Sequence, residues 1–278
     1  MISKETKYTL FSLAATGLVF FLIGTNMVFF KKHTTLNATS ITGSSITTTQ
    51  SKEEKIKKKI KKIKKIKKME ATSIVKVGSF SNKQLKKLFY SQKISDSIFE
   101  RMEGKSYKSN CTVPKSSLRY VRVLYYGFDK KTHVGELVVN KSIVKDIKTI
   151  FYKLYKHKYP IEKMVLVDEY DADDNLSMED NNTSSFNFRL VEGTTHLSKH
   201  SLGLAIDINP RYNPYIHTLN GKTVCSPENG SDYADRSKDF PYKITTSDYA
   251  YKLFIKHGFT WGGAWNSVKD YQHFQKSQ

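Results

Sequence analysis

The sequence predicts an α+β fold: an antiparallel sheet flanked by helices, preceded by an apolar N-terminal segment and a basic linker. Three observations predict it. Leu118 to Phe128 alternates as a strand, and a turn-forming stretch leads directly into a second strand, Gly135 to Asn140. Ile143, Ile147, Ile150, Phe151 and Leu154 then recur at helical spacing. Further strands and helices mix without a βαβ rhythm, which argues against a parallel sheet.

A length of 278 residues fits one ordinary domain with appendages. The formal net charge is +20 and is unevenly spread. Lys52 to Met69 holds eleven lysines against two glutamates, a local +9, leaving +11 for the rest. Such a balance attracts anionic polymers, acidic lipid surfaces or nucleic acid. The two cysteines, Cys111 and Cys225, form no CxxC pair, so no thiolate metal site is signalled. A disulfide between them stays open.

Taken in order, Tyr8 to Phe30 has no charged side chain and ends at Lys31 and Lys32. At about 1.5 Å per residue this stretch suffices to cross a hydrocarbon core of about 30 Å. No small-residue cleavage site follows, so residues 1–32 are expected to be a cytoplasmic end and an uncleaved anchor. Residues 33–70 are expected to be a linker. It is Thr/Ser-rich to Ser51, then a Lys/Ile run with apolar residues at Ile56, Ile60, Ile63, Ile66 and Met69. That run reads either as a solvated spacer or as a basic stripe that lies on an anionic membrane or wall polymer. Nothing in it specifies a nucleic-acid fold, so nucleic acid is not an expected partner.

The folded domain is expected over 71–278. Ser81–Tyr90 and Ile94–Met102 read as short helices, and Asn140 or Ser142 as the cap of the next helix, which Tyr159-Pro160 ends. Met164–Val167 and Ser184–Arg189 read as strands. The acidic stretch Asp168–Asp180 between them matches a calcium loop only at Asp171, Asp173 and Asn175. Leu176 stands where the turn glycine is required and Asn182 where the final Glu belongs, so it reads as a surface loop bordering a basic cleft. Leu204–Asn209 is a strand with Leu204, Ile206 and Ile208 on one face and Ala205 and Asp207 on the other. The chain from Asn209 to Lys243 reads as loop. Ser247 caps a helix to Lys256, with Gly258 just past its end, and Tyr271–Gln275 is the last strand.

The chemistry-bearing residues are His200, Asp207, His273 and Asp270. A catalytic zinc takes three protein ligands from His and carboxylates and keeps one position open. His200, Asp207 and His273 can supply these. Asp270, three residues before His273, can lie close to the metal without ligating it and there take a proton from an attacking water. His196 precedes His200 by four residues, but no HExxH glutamate follows it and Gly203 opposes a continuing helix. His196, His133, His157, His217 and His257 therefore read as ordinary surface or packing histidines.

Ser198, His200, Gly203, Ala205 and Asp207, then Trp261-Gly-Gly-x-Trp265, then Asp270, His273 and Phe274, resemble the D-alanyl-D-alanine carboxypeptidase family of zinc peptidases. That family includes the VanY-type enzymes and phage endopeptidases that cut peptidoglycan stem peptides. Asn181–Phe186 with Arg189, Asp207–Tyr215 and Asp235-Arg236 resemble one branch of it, and the likeness spans about Ser106 to Phe274. The resemblance implies one Zn²⁺ held by His200, Asp207 and His273, with Asp270 as general base. It also implies that Arg189 binds the substrate's carbonyl or carboxylate, with Arg211 and Arg236 as alternatives. Trp261 and Trp265 would frame the core or cleft wall, and Ser198 would hold the metal loop by a local hydrogen bond. Some relatives carry Glu where this chain has Asp270.

The expected function is thus a D-alanyl-D-alanine carboxypeptidase-like peptidase acting on stem peptides outside the cell. An L-alanyl-D-glutamate-type endopeptidase and a non-catalytic wall-binding protein on the same fold are the alternatives.

Overall fold

The computed structural model describes residues 44–191, 194–219 and 221–277. By internal contacts the chain divides into two compact units, Met1–Thr48 and Thr49–Gln278, and the site belongs to the second. The expected anchor and the linker up to residue 43 lie outside the described residues. Among the described residues, no helix is long and apolar enough to cross a membrane.

Helix α1, Ser44–Lys67, takes in the Lys/Ile run as far as Lys67. Long unbranched lysines tolerate a helix well, but their mutual repulsion means that packing must supply much of its stability. That packing is visible at the C-terminal end, where Ile63 and Ile66 join the main core, while Ile56 and Ile60 remain exposed. Residues ahead of the expected start at Ala71 thus pack on the body.

The central sheet runs β1-β2-β3, formed by Tyr90–Gln92, Leu118–Tyr126 and Thr132–Asn140. The expected hairpin is present, paired antiparallel from Leu118 opposite Asn140 to Tyr126 opposite Thr132. Both of its faces are covered. Val121, Val123, Leu137 and Val139 pack with α4, Val144–Lys156, through Ile147, Ile150, Phe151 and Leu154. Leu118, Tyr120 and Val138 face a second cluster containing Met102, Phe186 and Phe188. On this side buried Glu136 accepts from Arg101, Arg122 and Tyr120. Burial opposes its charge, but the two arginines and the phenol hold its carboxyl below the usual range.

Several boundaries differ from expectation. The first helix stops at Lys86, as α2 (Asn82–Lys86), and Tyr90 opens β1 instead, pairing with Arg122. A capping box between Ser81 and Gln84 starts α2, and Ser95 caps α3, Asp96–Met102. Ile143 occupies the N-cap position of α4 and has no polar atom to cap it, while Asn140 Oδ1 accepts from the backbone N–H and hydroxyl of Ser142.

Val167 opens a 3-10 turn, Val167–Tyr170, and Met164–Leu166 and Ser184–Arg189 form no regular strands. Each is pinned by single contacts: Glu136 N–H to the Met164 carbonyl, a bridge between Ser184 and Asp207, and Phe186 N–H to the Val138 carbonyl. The acidic stretch contains a helix, α5 (Asp174–Glu179), capped by Asp173, rather than being loop throughout. The stretch from Asn209 to Lys243 contains a hairpin, β5 (Tyr215–Leu219) with β6 (Lys222–Ser226). Its polar, turn-rich composition hid the alternation. Asp248, not Ser247, caps α6 (Tyr249–Lys256), and Gly258 follows in the left-handed conformation expected of it. Cys111 and Cys225 are both free thiols.

Two small sheets carry the site. One is β4-β9-β7, from Ala205–Asp207, His273–Gln275 and Thr260–Trp261. The other is β6-β5-β8, where β8 is Lys269–Asp270. Of the last strand expected over Tyr271–Gln275, only His273–Gln275 is strand, in the first of these sheets, while β8 precedes it in the second. Burial explains the division, since Phe274 is fully buried against Phe254, Phe259 and Trp261.

The turn before β4 is locked to the central hairpin. Gly203, at φ +64°, accepts at its carbonyl from the Asn140 N–H at 2.8 Å. A Cβ there would stand 2.6 Å from the Asn140 nitrogen. Gly203→Ala should therefore destabilise the protein by at least about 1–3 kcal/mol. Chemical denaturation of the metal-free protein measures this, with wild-type stability as the outcome that contradicts it.

Candidate metal centre

His200 opens a 3-10 turn, His200–Leu202, that Gly203 closes. Ser198 holds the start of this turn: its hydroxyl accepts from the His200 N–H at 3.2 Å, and its carbonyl accepts from Ser201 N–H. Asp207 and His273 face each other directly across the β4–β9 pair. Opposite positions on antiparallel strands put side chains within about 5 Å on one face. A sequence separation of 66 residues thus becomes a contact.

The three side chains converge with matching geometry. His200 Nε2 lies 3.1 Å from Asp207 Oδ2 and 3.1 Å from His273 Nδ1, while His273 Nδ1 lies 3.1 Å from Asp207 Oδ1. All three residues are buried, and one ligand atom from each lies within 4.8 Å of the others. Donor atoms bound tetrahedrally at about 2.0–2.2 Å stand roughly 3.3 Å apart, so the set fits one small divalent ion.

Each ring is also oriented from behind. His200 Nδ1 donates to the Ser185 carbonyl at 2.6 Å, which leaves Nε2 with its lone pair toward the cluster. His273 Nε2 donates to Gln275 Oε1 at 3.0 Å, which leaves Nδ1. Such partners fix the tautomer a metal ligand needs.

Asp270 arrives from the other small sheet, where it pairs with Tyr215. Its Oδ2 stands 4.0 Å from His273 Nδ1, outside the triangle of close contacts. Its Oδ1 is buried and makes no hydrogen bond among the described residues. Burial pushes the Asp270 carboxyl up to about 6; the Asp207 charge adds to this, while His273, His200 and Arg189 oppose it. Asp207 moves the other way. Burial disfavours its charge, but the adjoining His200 and His273 hold it well below the usual carboxylate range. Burial lowers His273, and its bond to Asp207 more than compensates, leaving it raised.

The cluster lies in a cleft of about 510 Å³ whose lining includes Arg189, Ser198, Tyr215, Trp265 and Asp270. Of the three arginines considered from sequence, Arg189 lines this cleft. Arg211 instead pairs with Glu162 at 3.1 Å. Arg236 donates to the carbonyls of Tyr212 and Ile244 and stacks over Tyr271, as a buried brace. Trp265 stands with its ring 5.3 Å from that of His273. Trp261 is core: its indole N–H donates to the Tyr271 carbonyl, and its ring packs on Phe274 and Tyr251.

The two glycines between these tryptophans are places of close approach. A Cβ on Gly262 would lie 2.6 Å from the Asp270 carbonyl oxygen, and one on Gly263 would enter the Trp261 ring.

Among the described residues, the remaining histidines stay apart from the cluster. His196 is exposed, His133 bonds Thr72 and Asp129, His157 stacks on Tyr249, His217 stacks on Tyr215, and His257 bonds Asp146. Sequence reasoning missed Gln275, Tyr215 and Asp174. Gln275 was the most accessible of these, because position i+2 on a strand shares the face of His273.

Comparison with known families places residues 192–276 in a match to the family model described as D-alanyl-D-alanine carboxypeptidase. The match takes in under a third of the chain, including His200, Asp207, Asp270 and His273, and supports a peptidase hydrolase. The resemblance read from the motifs holds over that segment, while Arg189 lies just ahead of it. No curated protein and no solved structure matches the chain.

Protons compete with a metal for these ligands, above all at His273, whose raised value leaves it charged to higher pH. Divalent metal uptake by the metal-free protein should strengthen as pH rises above about 6.5. Titration calorimetry across that range, with proton release followed by buffer ionisation enthalpy, checks it. His273→Ala should lose most of the affinity.

Proposed function

We propose that this chain is a zinc peptidase hydrolysing peptidoglycan stem peptides, with a D-alanyl-D-alanine carboxypeptidase-like reaction. The observation that carries the reading is a buried His200, Asp207 and His273 set with a fourth acid, Asp270, beside it and outside it. A site built only for structure has no use for that extra carboxylate. Two imidazoles and one carboxylate in near-tetrahedral spacing suit Zn²⁺ better than Mg²⁺ or Ca²⁺, which favour all-oxygen shells.

When bound, zinc lowers the pKa of a water toward about 7 and polarises the substrate carbonyl. The chain's own groups do the rest. Asp270 accepts the proton of the attacking water at the carboxylate edge facing the cleft and delivers it to the leaving amine. Its raised proton affinity suits both transfers. Arg189 offers charged N–H donors to the substrate carboxylate or to the developing oxyanion. Gly262 lies against the Asp270 main chain, and Trp265 lines the cleft beside His273.

The catalytic unit would work outside the cell, where the wall lies, held by an anchor at Tyr8–Phe30. In this reading residues 1–32 anchor, 33–70 tether, with the tether's end packed on the core through Ile63 and Ile66, and 71–278 form the peptidase domain. The lysines of Lys52–Met69, with Ile56 and Ile60 exposed among them, would rest on an anionic wall polymer or membrane surface.

Zinc-loaded protein should cleave a defined stem peptide, and a chelator should abolish cleavage. Mass spectrometry of the products then separates removal of the terminal D-Ala from cutting of an internal L-Ala–D-Glu type bond. Full activity in metal-free protein would end the proposal. Asp270→Asn should retain stoichiometric zinc yet lose about 10²–10⁴-fold in kcat. In the wild type, kcat/KM should fall as pH drops below about 6, where Asp270 gains its proton. Bound zinc shifts that limb to lower pH, and a flat profile down to pH ~4 counts against the base assignment.

A further inference from the structure

Asp174 stands in the cleft wall opposite the metal turn, at the start of α5. Its Oδ2 lies in ion-pair contact with the buried Arg189 Nε, a charge contact that forms no hydrogen bond among the described residues, and its Oδ1 accepts from Asn187 Nδ2 at 2.8 Å. Asn187 is fixed in turn, since the same amide nitrogen donates to the Ala172 carbonyl at 3.0 Å and its backbone N–H donates to the His200 carbonyl. The Arg189 backbone is held as tightly: its N–H donates to Ser201 Oγ at 2.8 Å and its carbonyl accepts from Ser198 N–H. Arg189 is thus clamped at both ends, by the metal turn through its main chain and by Asp174 through its guanidinium. Unclamped, a long arginine samples many rotamers and loses that freedom on engaging substrate. Here the freedom is already lost on folding.

We propose that Asp174 is a positioning residue, which acts through Arg189 to hold the guanidinium in the cleft in register with the metal ligands. The proposal rests on the reading of Arg189 as the group that meets substrate. It gives the acidic stretch a function as well: Asp173 caps α5 and so sets where Asp174 projects. A competing account is purely structural, in which Asp174 merely suits the start of α5 and satisfies Asn187.

Two measurements separate the accounts. The first is the Arg189 Nε–H resonance of the full-length protein in ¹⁵N-resolved spectra, assigned by its loss in Arg189→Lys. It should be slow to exchange in wild type and should broaden or vanish in Asp174→Asn; an unchanged resonance overturns the pairing. The second is a double-mutant cycle on the zinc-loaded protein, using a peptide ending in D-Ala-D-Ala, with zinc content and Tm recorded for each variant.

Asp174→Asn should lower kcat about tenfold with zinc content unchanged, and should cost less than about twofold when Arg189 is already Ala. An equal loss in both backgrounds, or no loss in the first, overturns the positioning role. Asp174→Glu retains the charge on a longer arm and should recover part of the lost kcat, which serves if the Asn variant folds poorly. Absence of any hydrolysis by wild type defeats the peptidase reading, while the resonance still decides whether the clamp exists.

Discussion

The contact that the site depends on is the docking of the 200–203 turn against the end of the β2–β3 hairpin. Asn140 reaches it twice, by its N–H to the Gly203 carbonyl and by its amide to the Leu202 carbonyl at 3.0 Å. Both are bonds from the central sheet to the element that carries His200. Because Gly203 lies so close to the Asn140 backbone, the turn can neither tilt nor withdraw without breaking them. The two-sided core of the hairpin gives that anchor its rigidity. Metal ligation tolerates little error, so a ligand on a short turn needs a stiff base.

From this anchor the rest follows by register. The turn leads into β4, whose Asp207 meets Ser184 on one side and His273 on the other. The Ser184–Asn187 segment then passes beneath the metal turn, supplying the Ser185 carbonyl that fixes His200 and the Asn187 amide that reaches Asp174. It never becomes a regular strand because its neighbours change along its length: Asp207 at Ser184, Val138 at Phe186, His200 at Asn187. An irregular segment can serve three elements where a ladder would serve one.

This explains what the sequence disclosed and what it withheld. The hairpin, α4 and α6 carry strong local period, so their existence was legible, as was the glycine that ends α6. The His200, Asp207 and His273 cluster was legible because three side chains of metal-ligating chemistry sit beside turn and strand signals. The β5–β6 hairpin and β8 were not, since their strands are short, polar and stabilised by partners far along the chain. Asp174 was hidden for a related reason. In an acidic run every carboxylate looks alike, and only the fold selects the one that meets Arg189. The Lys/Ile run showed its helical spacing, but not that Ile63 and Ile66 would find the core while Ile56 and Ile60 would not.

The division of labour between Asp207 and Asp270 is likewise a property of placement. Both are carboxylates withdrawn from water, and burial alone would raise both. Asp207 sits between two imidazoles, each 3.1 Å from one of its oxygens, so its charged form is favoured. Asp270 reaches only as far as 4.0 Å from His273 and keeps an unpartnered oxygen, so its proton affinity rises. Pairs of groups driven apart in this way mark acid–base sites. The short side chain of Asp270 makes the position of its backbone decisive. That backbone is set by pairing with Tyr215 on one side and by contact with Gly262 on the other, where a Cβ would leave no room. A glutamate at this position would gain reach and lose definition. The Trp-Gly-Gly frame thus does for Asp270, the proposed base, what Asn140 does for the turn of His200: it replaces side-chain length with a fixed main chain.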